Sequence, residues 1–298
     1  MTIKKILVWI GLSITMMVLW IVGLMIGNAI FPSSLMDMET GNDSTGILWL
    51  LLASALNAWI ILKLIYNSEF TSWKLVGYVF LVSFGIQYFM SQIETIWFND
   101  SLQLPINGIW AIICGGAVTL LLFAIAATGF TRKFKQSSSI GPGKLMLKPL
   151  LKKIIVLSVI IWPLIYFMFG YLVAWQFAEV RMLYSGTTEM DSFISIMKGN
   201  LVSGLYAFQI LRGFLWVLIG ILVIQMTNCS RVKTGILLGL LFTILGSSGL
   251  LIPNPIMPEM VRMAHLIETS TSDFLWGFII AWYLWQPKSN AFKESVVK

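Results

Sequence analysis

Residues 6–30 read ILVWIGLSITMMVLWIVGLMIGNAI, an unbroken run of 25 residues without a charged side chain. An α-helix rises 1.5 Å per residue, so a run of this length can cross the roughly 30 Å of hydrocarbon in a bilayer. The apolar region of a secretory signal peptide spans only about 7–15 residues. The stretch therefore predicts a retained membrane-spanning helix that follows Lys4 and Lys5.

The rest of the chain repeats this pattern. Of its 298 residues, 58% are hydrophobic and 11% are charged, whereas soluble domains carry about 25% charged residues. The other candidate spans are 46–66, 75–98, 106–130, 154–178, 201–227, 235–252 and a final one that ends near Trp285. Their length, without period-two alternation, favours helices over strands. The sequence predicts an all-α, polytopic helical membrane protein with about eight transmembrane helices.

The distribution of charge predicts how the chain crosses the membrane. Cytoplasmic loops are rich in Lys and Arg, and one even-numbered topology satisfies this rule. It places Lys4, Lys5, Lys63, Lys74, Arg231, Lys233, Lys288, Lys293 and Lys298 inside, and Asp37, Glu39, Asp43, Asp100, Glu189 and Asp191 outside. We therefore expect a protein of the plasma (cell inner) membrane whose two termini are both cytoplasmic.

The most basic segment, 131–153, lies between the fourth and fifth candidate spans. A net charge of +7 is compatible with nucleic-acid binding, but the basic residues follow the loop pattern of a membrane protein. We expect the segment to contact anionic lipid headgroups rather than nucleic acid. It divides the chain into a first half, 1–130, and a second half, 154–298.

The two halves share a short similarity. Residues 52–63 (LASALNAWIILK) and 201–212 (LVSGLYAFQILR) are identical at six of twelve positions. The pattern predicts two four-helix halves related by internal duplication, an arrangement that recurs in transporters with the substrate between the repeats.

The last candidate span is too short unless it includes polar residues. The apolar part, Asp273 to Trp285, has only 13 residues, whereas crossing requires about 20. A continuous helix beginning after Pro258, a residue suited to a first helical turn, solves the problem. Such a helix places His265 and Glu268, within the outer-side polar segment 253–273, at the level of the outer leaflet.

Other spans carry polar residues to the same level. A charged side chain at the centre of a bilayer costs at least about 2.5–3.5 kcal/mol, so such residues are usually paired or functional. We predict an outward-facing polar cluster whose substrate-binding residues are Glu94, Gln176, Glu179, Gln209, Arg212, Arg262, His265 and Glu268.

Three functions remain open at this point. The first is a transporter or carrier of a small or anionic solute, linked to protons, in which acids and His265 pass protons while Arg212 and Arg262 hold the anion. The second is an intramembrane enzyme acting on a lipid or lipid-linked substrate at the outer leaflet, with His265 as general base and Glu268 or Glu94 orienting it. The third is a non-catalytic membrane subunit or scaffold whose charges only hold helices together.

The sequence lacks the motifs that are typical of several enzyme classes. The chain contains no Gly-x-x-x-x-Gly-Lys, Gly-x-Ser-x-Gly, His-Glu-x-x-His or Cys-x-x-Cys pattern and has a single His. These absences disfavour an ATPase, a serine hydrolase of that type and a zinc protease. We predict no metal site and no cofactor, and the sequence does not decide whether the protein is an enzyme.

Overall fold

The computed structural model describes residues 2–34, 45–136, 147–254 and 257–287, a part of the chain that contains helices but no β-strand. The acids Asp37, Glu39 and Asp43, the linker residues 137–146 and the C-terminal lysines lie outside it. The main helices are α1 (Ile3–Ile30), α2 (Gly46–Tyr66), α3 (Ser72–Trp97), α4 (Ile106–Phe130), α5 (Leu147–Val156, continuing to Trp162–Leu172), α6 (Ala178–Ser185), α7 (Phe193–Val202), α8 (Leu205–Met226), α9 (Arg231–Ser247) and α10 (Glu259–Leu284).

The described helices confirm the predicted fold class. Seven of them, α1–α5, α8 and α9, are long and apolar enough to cross a membrane. Their outer surfaces expose large apolar side chains, for example Leu7 at 64% and Met25 at 61% on α1. A helix that is apolar on all faces is stable where lipid, rather than water, covers its exterior.

Helix α10 is the eighth long helix, and it begins directly after Pro258 as predicted. Its 26 residues give a length of about 39 Å, although its first half is too polar to count as a span by composition. Gly235 near the start of α9 faces Phe278, and Gly246 near the end of α9 faces Asp273. The two helices therefore run antiparallel, and Asp273 lies at the depth of the last turns of α9.

Glycine residues let two pairs of helices approach closely. A Cβ added to Gly23 of α1 would lie 2.6 Å from the carbonyl oxygen of Gly115 in α4. A Cβ added to Gly277 of α10 would lie 2.7 Å from the carbonyl oxygen of Leu238 in α9. In membranes, where no hydrophobic effect drives helices together, such backbone contacts supply much of the association energy.

A proline explains an irregular turn in α5. Leu157–Ile161 forms a π-helical turn just before Pro163. Pro163 has no N–H to donate to the carbonyl of Val159, so in a regular helix that oxygen would lack a hydrogen-bond donor. The hydroxyl of Tyr206 in α8 donates to it at 2.9 Å, which satisfies the oxygen and ties α5 to α8.

Most of the described basic residues, including Lys5, Lys74, Lys133, Lys153 and Arg231, lie at one end of the helix bundle, which we call the basic end. Here the connectors after α2 and α8 pair with each other: the N–H of Glu69 donates to the carbonyl of Met226 at 2.9 Å, and Ser68 and Thr227 form an isolated antiparallel bridge. Lys133, after α4, donates to the carbonyl of Ser68 at 3.0 Å. The two halves of the chain also share one hydrophobic core.

Two predicted boundaries move by several residues. The span predicted from 201 begins at Leu205, because Gly204 adopts a positive φ of 79° that turns the chain between α7 and α8. The predicted linker 131–153 is partly helical, since α5 begins at Leu147.

Candidate functional site

A bidentate ion pair joins the end of α3 to the beginning of α8, away from the basic end. The Nη1 of Arg212 lies 2.6 Å from Oε1 of Glu94, and its Nη2 lies 2.7 Å from Oε2. The side chain of Arg212 is 5% exposed and that of Glu94 is 30% exposed. A forked guanidinium–carboxylate contact is among the strongest hydrogen-bonded pairs in proteins. Two predicted site residues, 118 positions apart in sequence, are thus brought together.

The remaining surroundings of Arg212 are an amide and three aromatic rings. Gln209 Oε1 accepts hydrogen bonds from Arg212 Nη1 at 3.2 Å and from the indole N–H of Trp162 at 3.1 Å. The ring centroids of Trp162, Tyr166 and Phe208 lie 5.8, 5.8 and 5.9 Å from the guanidinium carbon. Aromatic rings at this distance attract a cation, so the protein encloses the charge of Arg212.

A second hydrogen-bonded chain lies on α10 and α6. His265 Nδ1 lies 2.9 Å from Glu268 Oε2, and His265 Nε2 lies 3.3 Å from the hydroxyl of Tyr184. With the Nδ1 proton directed at Glu268, Nε2 is left to accept the phenol proton. His265 and Glu268 are three residues apart on α10, and their side chains meet as helical spacing predicts.

Tyr184 links the two groups of residues. Its ring packs edge-on against Phe98, directly after α3, with centroids 5.5 Å apart. Burial, and then the negative charges of Glu94 and Glu268, raise the pKa of the Tyr184 phenol, so it stays a neutral hydrogen-bond donor. Glu94 and Glu268 therefore both act electrostatically on the Tyr184 phenol, and we treat them as parts of one candidate site.

The inner face of α10 extends this site towards the basic end. Glu268, Ser272 and Asp273 are 8%, 6% and 7% exposed, and they follow His265 at helical spacing. Ile267 on the opposite face is 47% exposed and points outward. The polar stripe of α10 is therefore turned into the protein and its apolar stripe towards lipid.

Three other predicted site residues form no hydrogen bond or ion pair with this cluster among the described residues. Arg262 is buried, but it donates to the carbonyl of Leu250 at 2.8 Å and so holds the segment after α9. Gln176 donates to the carbonyl of Tyr171 at 2.8 Å and is exposed, as is Glu179. Their part in substrate binding stays a prediction.

Several buried polar atoms near the ion pair have no hydrogen-bond partner within the described part of the chain. They include Arg212 Nε, Gln209 Nε2, Gln87 Oε1 and the indole nitrogens of Trp216 and Trp276. Trp276 and Trp162 are in contact, with ring centroids 5.3 Å apart. Buried polar groups are nearly always satisfied by protein, water or ligand, so these atoms are available as additional hydrogen-bonding groups beside the ion pair.

Four aromatic residues around Arg212 and His265 were not selected from the sequence. Tyr184 is in a short helix outside the spans, and Trp162, Tyr166 and Phe208 resemble ordinary aromatic core residues. Asp273, a charged residue in the same helix as His265, is expected near the same level but was not chosen as a binding residue.

Two apolar grooves lie on either side of α8. One, of about 300 Å³, is lined by Phe89, Ile93, Ile96, Trp97, Phe208, Leu211 and Leu215, next to Glu94 on α3. The other, of about 360 Å³, lies between α5 and α8 and shares Leu211. Several lining side chains are exposed, with Leu211 at 54%, so both grooves open towards lipid.

Among the described residues, no group of three or more His, Cys, Asp or Glu side chains lies close enough to hold a metal ion. The chain matches no protein-family model, no curated protein and no solved structure. The geometry of the cluster is therefore the basis on which its function is inferred.

Proposed function

We propose that the protein is a proton-linked carrier of a small anionic solute. The observation that supports it is the chain Tyr184–His265–Glu268, which lies within electrostatic reach of the Glu94–Arg212 pair. Chains of titratable groups inside membrane helices mark proton pathways, and a deep arginine marks a site for negative charge.

The ion pair supplies a mechanism for the linkage. Glu94 occupies the forked donors of Arg212, which fit the carboxylate or phosphate of a solute equally well. A solute anion that takes this place releases the carboxylate of Glu94, which then accepts one proton. Anion and proton bind together, and for a singly charged anion the net charge of the site does not change.

The hydrogen-bonded chain on α10 supplies the route for that proton. His265 accepts a proton on one ring nitrogen and releases one from the other, so it can pass protons to Glu268 while the neutral phenol of Tyr184 orients its ring. Glu268 then lies between His265 and the deeper residues of the cluster. The 30% exposure of Glu94 keeps its carboxylate within reach of a solute that enters from the same side.

The cluster opens outward in this proposal, and both termini are cytoplasmic. Helix α10 packs along the full length of α9, and we take it as the eighth span. The positive-inside rule assigns the basic end to the cytoplasm.

Cysteine labelling tests this orientation. In a chain whose Cys114 and Cys229 are replaced by Ser, we expect Ile140→Cys and Thr187→Cys to react with a membrane-impermeant maleimide from opposite sides of the membrane. In intact cells only position 187 should be labelled, and position 140 only after permeabilisation. Labelling of both positions in intact cells contradicts the proposed topology.

The paired connectors support an origin of the two halves by duplication. Helix α2 contains the first similar stretch, and α8 contains the last eight residues of the second, Leu205–Arg212. The segments that follow the two helices pair antiparallel with each other. Two copies related by an axis along the membrane normal would meet in this way. In that arrangement the site lies where α3 of the first half meets α8 and α10 of the second.

A second candidate function rests on the same histidine. Glu268 orients His265 as carboxylates orient catalytic imidazoles, and the apolar groove beside Glu94 suits an acyl chain. An enzyme acting on a lipid or lipid-linked substrate would use His265 as general base. Such an enzyme would not move protons across a membrane, and this difference separates the two candidates.

Proton flux in proteoliposomes tests the carrier. We expect small anions, supplied outside as phosphate, sulfate, citrate and dicarboxylates, to acidify the lumen of vesicles containing the wild-type protein. Glu268→Gln should slow this flux at least about tenfold, since positioned proton-transfer groups typically contribute about 10²–10⁴-fold. Glu259→Gln, the same substitution at an exposed position of the same helix, is the matched control and should leave the flux unchanged.

A further inference from the structure

Asp273 is a buried acid that the described residues do not neutralise. It is 7% exposed, and its carboxylate makes no hydrogen bond or ion pair with any described residue. Its Oδ2 lies against Gly246 of α9, where an added Cβ would be 2.8 Å away. The glycine therefore leaves the room that the carboxyl group occupies.

The charges that face Asp273 come from three helices. They are Arg212 on α8, Glu94 on α3 and Glu268 on α10 itself. Both Nη groups of Arg212 already bind Glu94, and Glu268 already binds His265. An ionised Asp273 would add an uncompensated negative charge at a depth where such charges are costly, and a buried acid in that position takes up a proton instead.

Aromatic rings connect Arg212 to the part of α10 that contains Asp273. The guanidinium carbon lies 5.8 Å from the ring centroid of Trp162, whose ring lies 5.3 Å from that of Trp276, one helical turn after Asp273. The Nε of Arg212 has no partner among the described residues. When Arg212 pairs with Glu94, Asp273 holds the proton. If Arg212 instead pairs with Asp273, the proton belongs on Glu94, and the net charge is the same in both arrangements.

We propose that Glu94 and Asp273 share one proton and that Arg212 switches between them. In each transfer the O–H bond of one carboxyl group breaks, an O–H bond forms on the other, and the guanidinium moves to the acid that has become charged. The proton thereby passes the positive charge of Arg212, which would otherwise block it. This inference rests on the proposed function, because it supplies the inner step of the proton path.

Infrared spectroscopy of the purified protein in detergent tests the inference without any solute. We expect the wild type at neutral pH to show the C=O stretching band of a protonated carboxylic acid that Asp273→Asn removes. Glu94→Gln should also remove most of this band, because the released Arg212 then pairs with Asp273 and draws off its proton. The exposed control Glu259→Gln should leave the band unchanged.

Gly246→Ala gives an independent assignment, since the added methyl group presses on Asp273 Oδ2 and should shift the frequency of the same band. If the Asp273 band keeps its full intensity in Glu94→Gln, Arg212 does not switch between the two acids. If no band in the wild-type spectrum responds to Asp273→Asn or Gly246→Ala, Asp273 is not protonated. Both results are independent of the flux assay, so the carrier and this proton-sharing step can fail separately.

Discussion

Replacing Arg212 by Ala is expected to lower the thermal unfolding temperature of the purified protein far more than replacing Lys63 by Ala. Loss of one partner leaves Glu94 without its cation, and breaking a buried pair in this way costs about 3–5 kcal/mol. Because Glu94 keeps 30% exposure, we expect the lower part of that range. Lys63 is exposed on α2, where substitutions usually change stability by less than about 0.5 kcal/mol.

A double variant separates the ion pair from general packing. Replacing both members by Leu removes the buried charge and its desolvation cost together, and such replacements are often neutral or stabilising. We therefore expect Glu94→Leu with Arg212→Leu to recover much of the stability that Arg212→Ala loses. Equal unfolding temperatures for Arg212→Ala and Lys63→Ala would show that the Glu94–Arg212 ion pair does not stabilise the protein.

The second large effect is expected at the contact between α9 and α10. In Gly277→Ala the new Cβ would lie 2.7 Å from the carbonyl oxygen of Leu238 and 2.8 Å from the nitrogen of Gly239. Because both atoms belong to the backbone, the helices must separate, and we expect a loss of about 1–3 kcal/mol. Thermal unfolding in detergent measures it.

The matched control is Gly77→Ala in α3. A Cβ at Gly77 meets no atom within 4 Å, and Ala is up to about 1 kcal/mol more favourable than Gly in a helix. Its unfolding temperature should stay the same or rise. If both alanine variants behave alike, the close approach of α9 and α10 does not hold the bundle together.

The spans were predictable because membrane crossing imposes a length. The requirement for about 20 residues extended the last helix back through Glu268 to Pro258, and α10 begins at Glu259. The start of α8 was missed since Gly204 adopts a positive φ. Nothing in an apolar run distinguishes such a glycine from one that packs inside a helix.

The candidate site was predictable where depth and helical spacing apply. His265 and Glu268 meet because they are three residues apart on one helix, and Glu94 and Arg212 were singled out by their depth. Tyr184 was not predictable, as its contact with His265 spans 81 positions and starts from a connecting segment. Gln176 and Glu179 are polar residues near the end of a predicted span, but the structure exposes both side chains.

The same charges would also be present in a scaffold, where ion pairs only fix the register of the helices. Proton uptake in proteoliposomes separates a carrier from a scaffold most directly, with wild type, Glu268→Gln and Glu259→Gln reconstituted at equal protein density. We expect anion-dependent acidification of the lumen with wild type and Glu259→Gln, and little with Glu268→Gln. Wild-type vesicles that stay at the rate of empty liposomes with every anion tested, or equal rates for all three proteins, would contradict a proton-linked carrier.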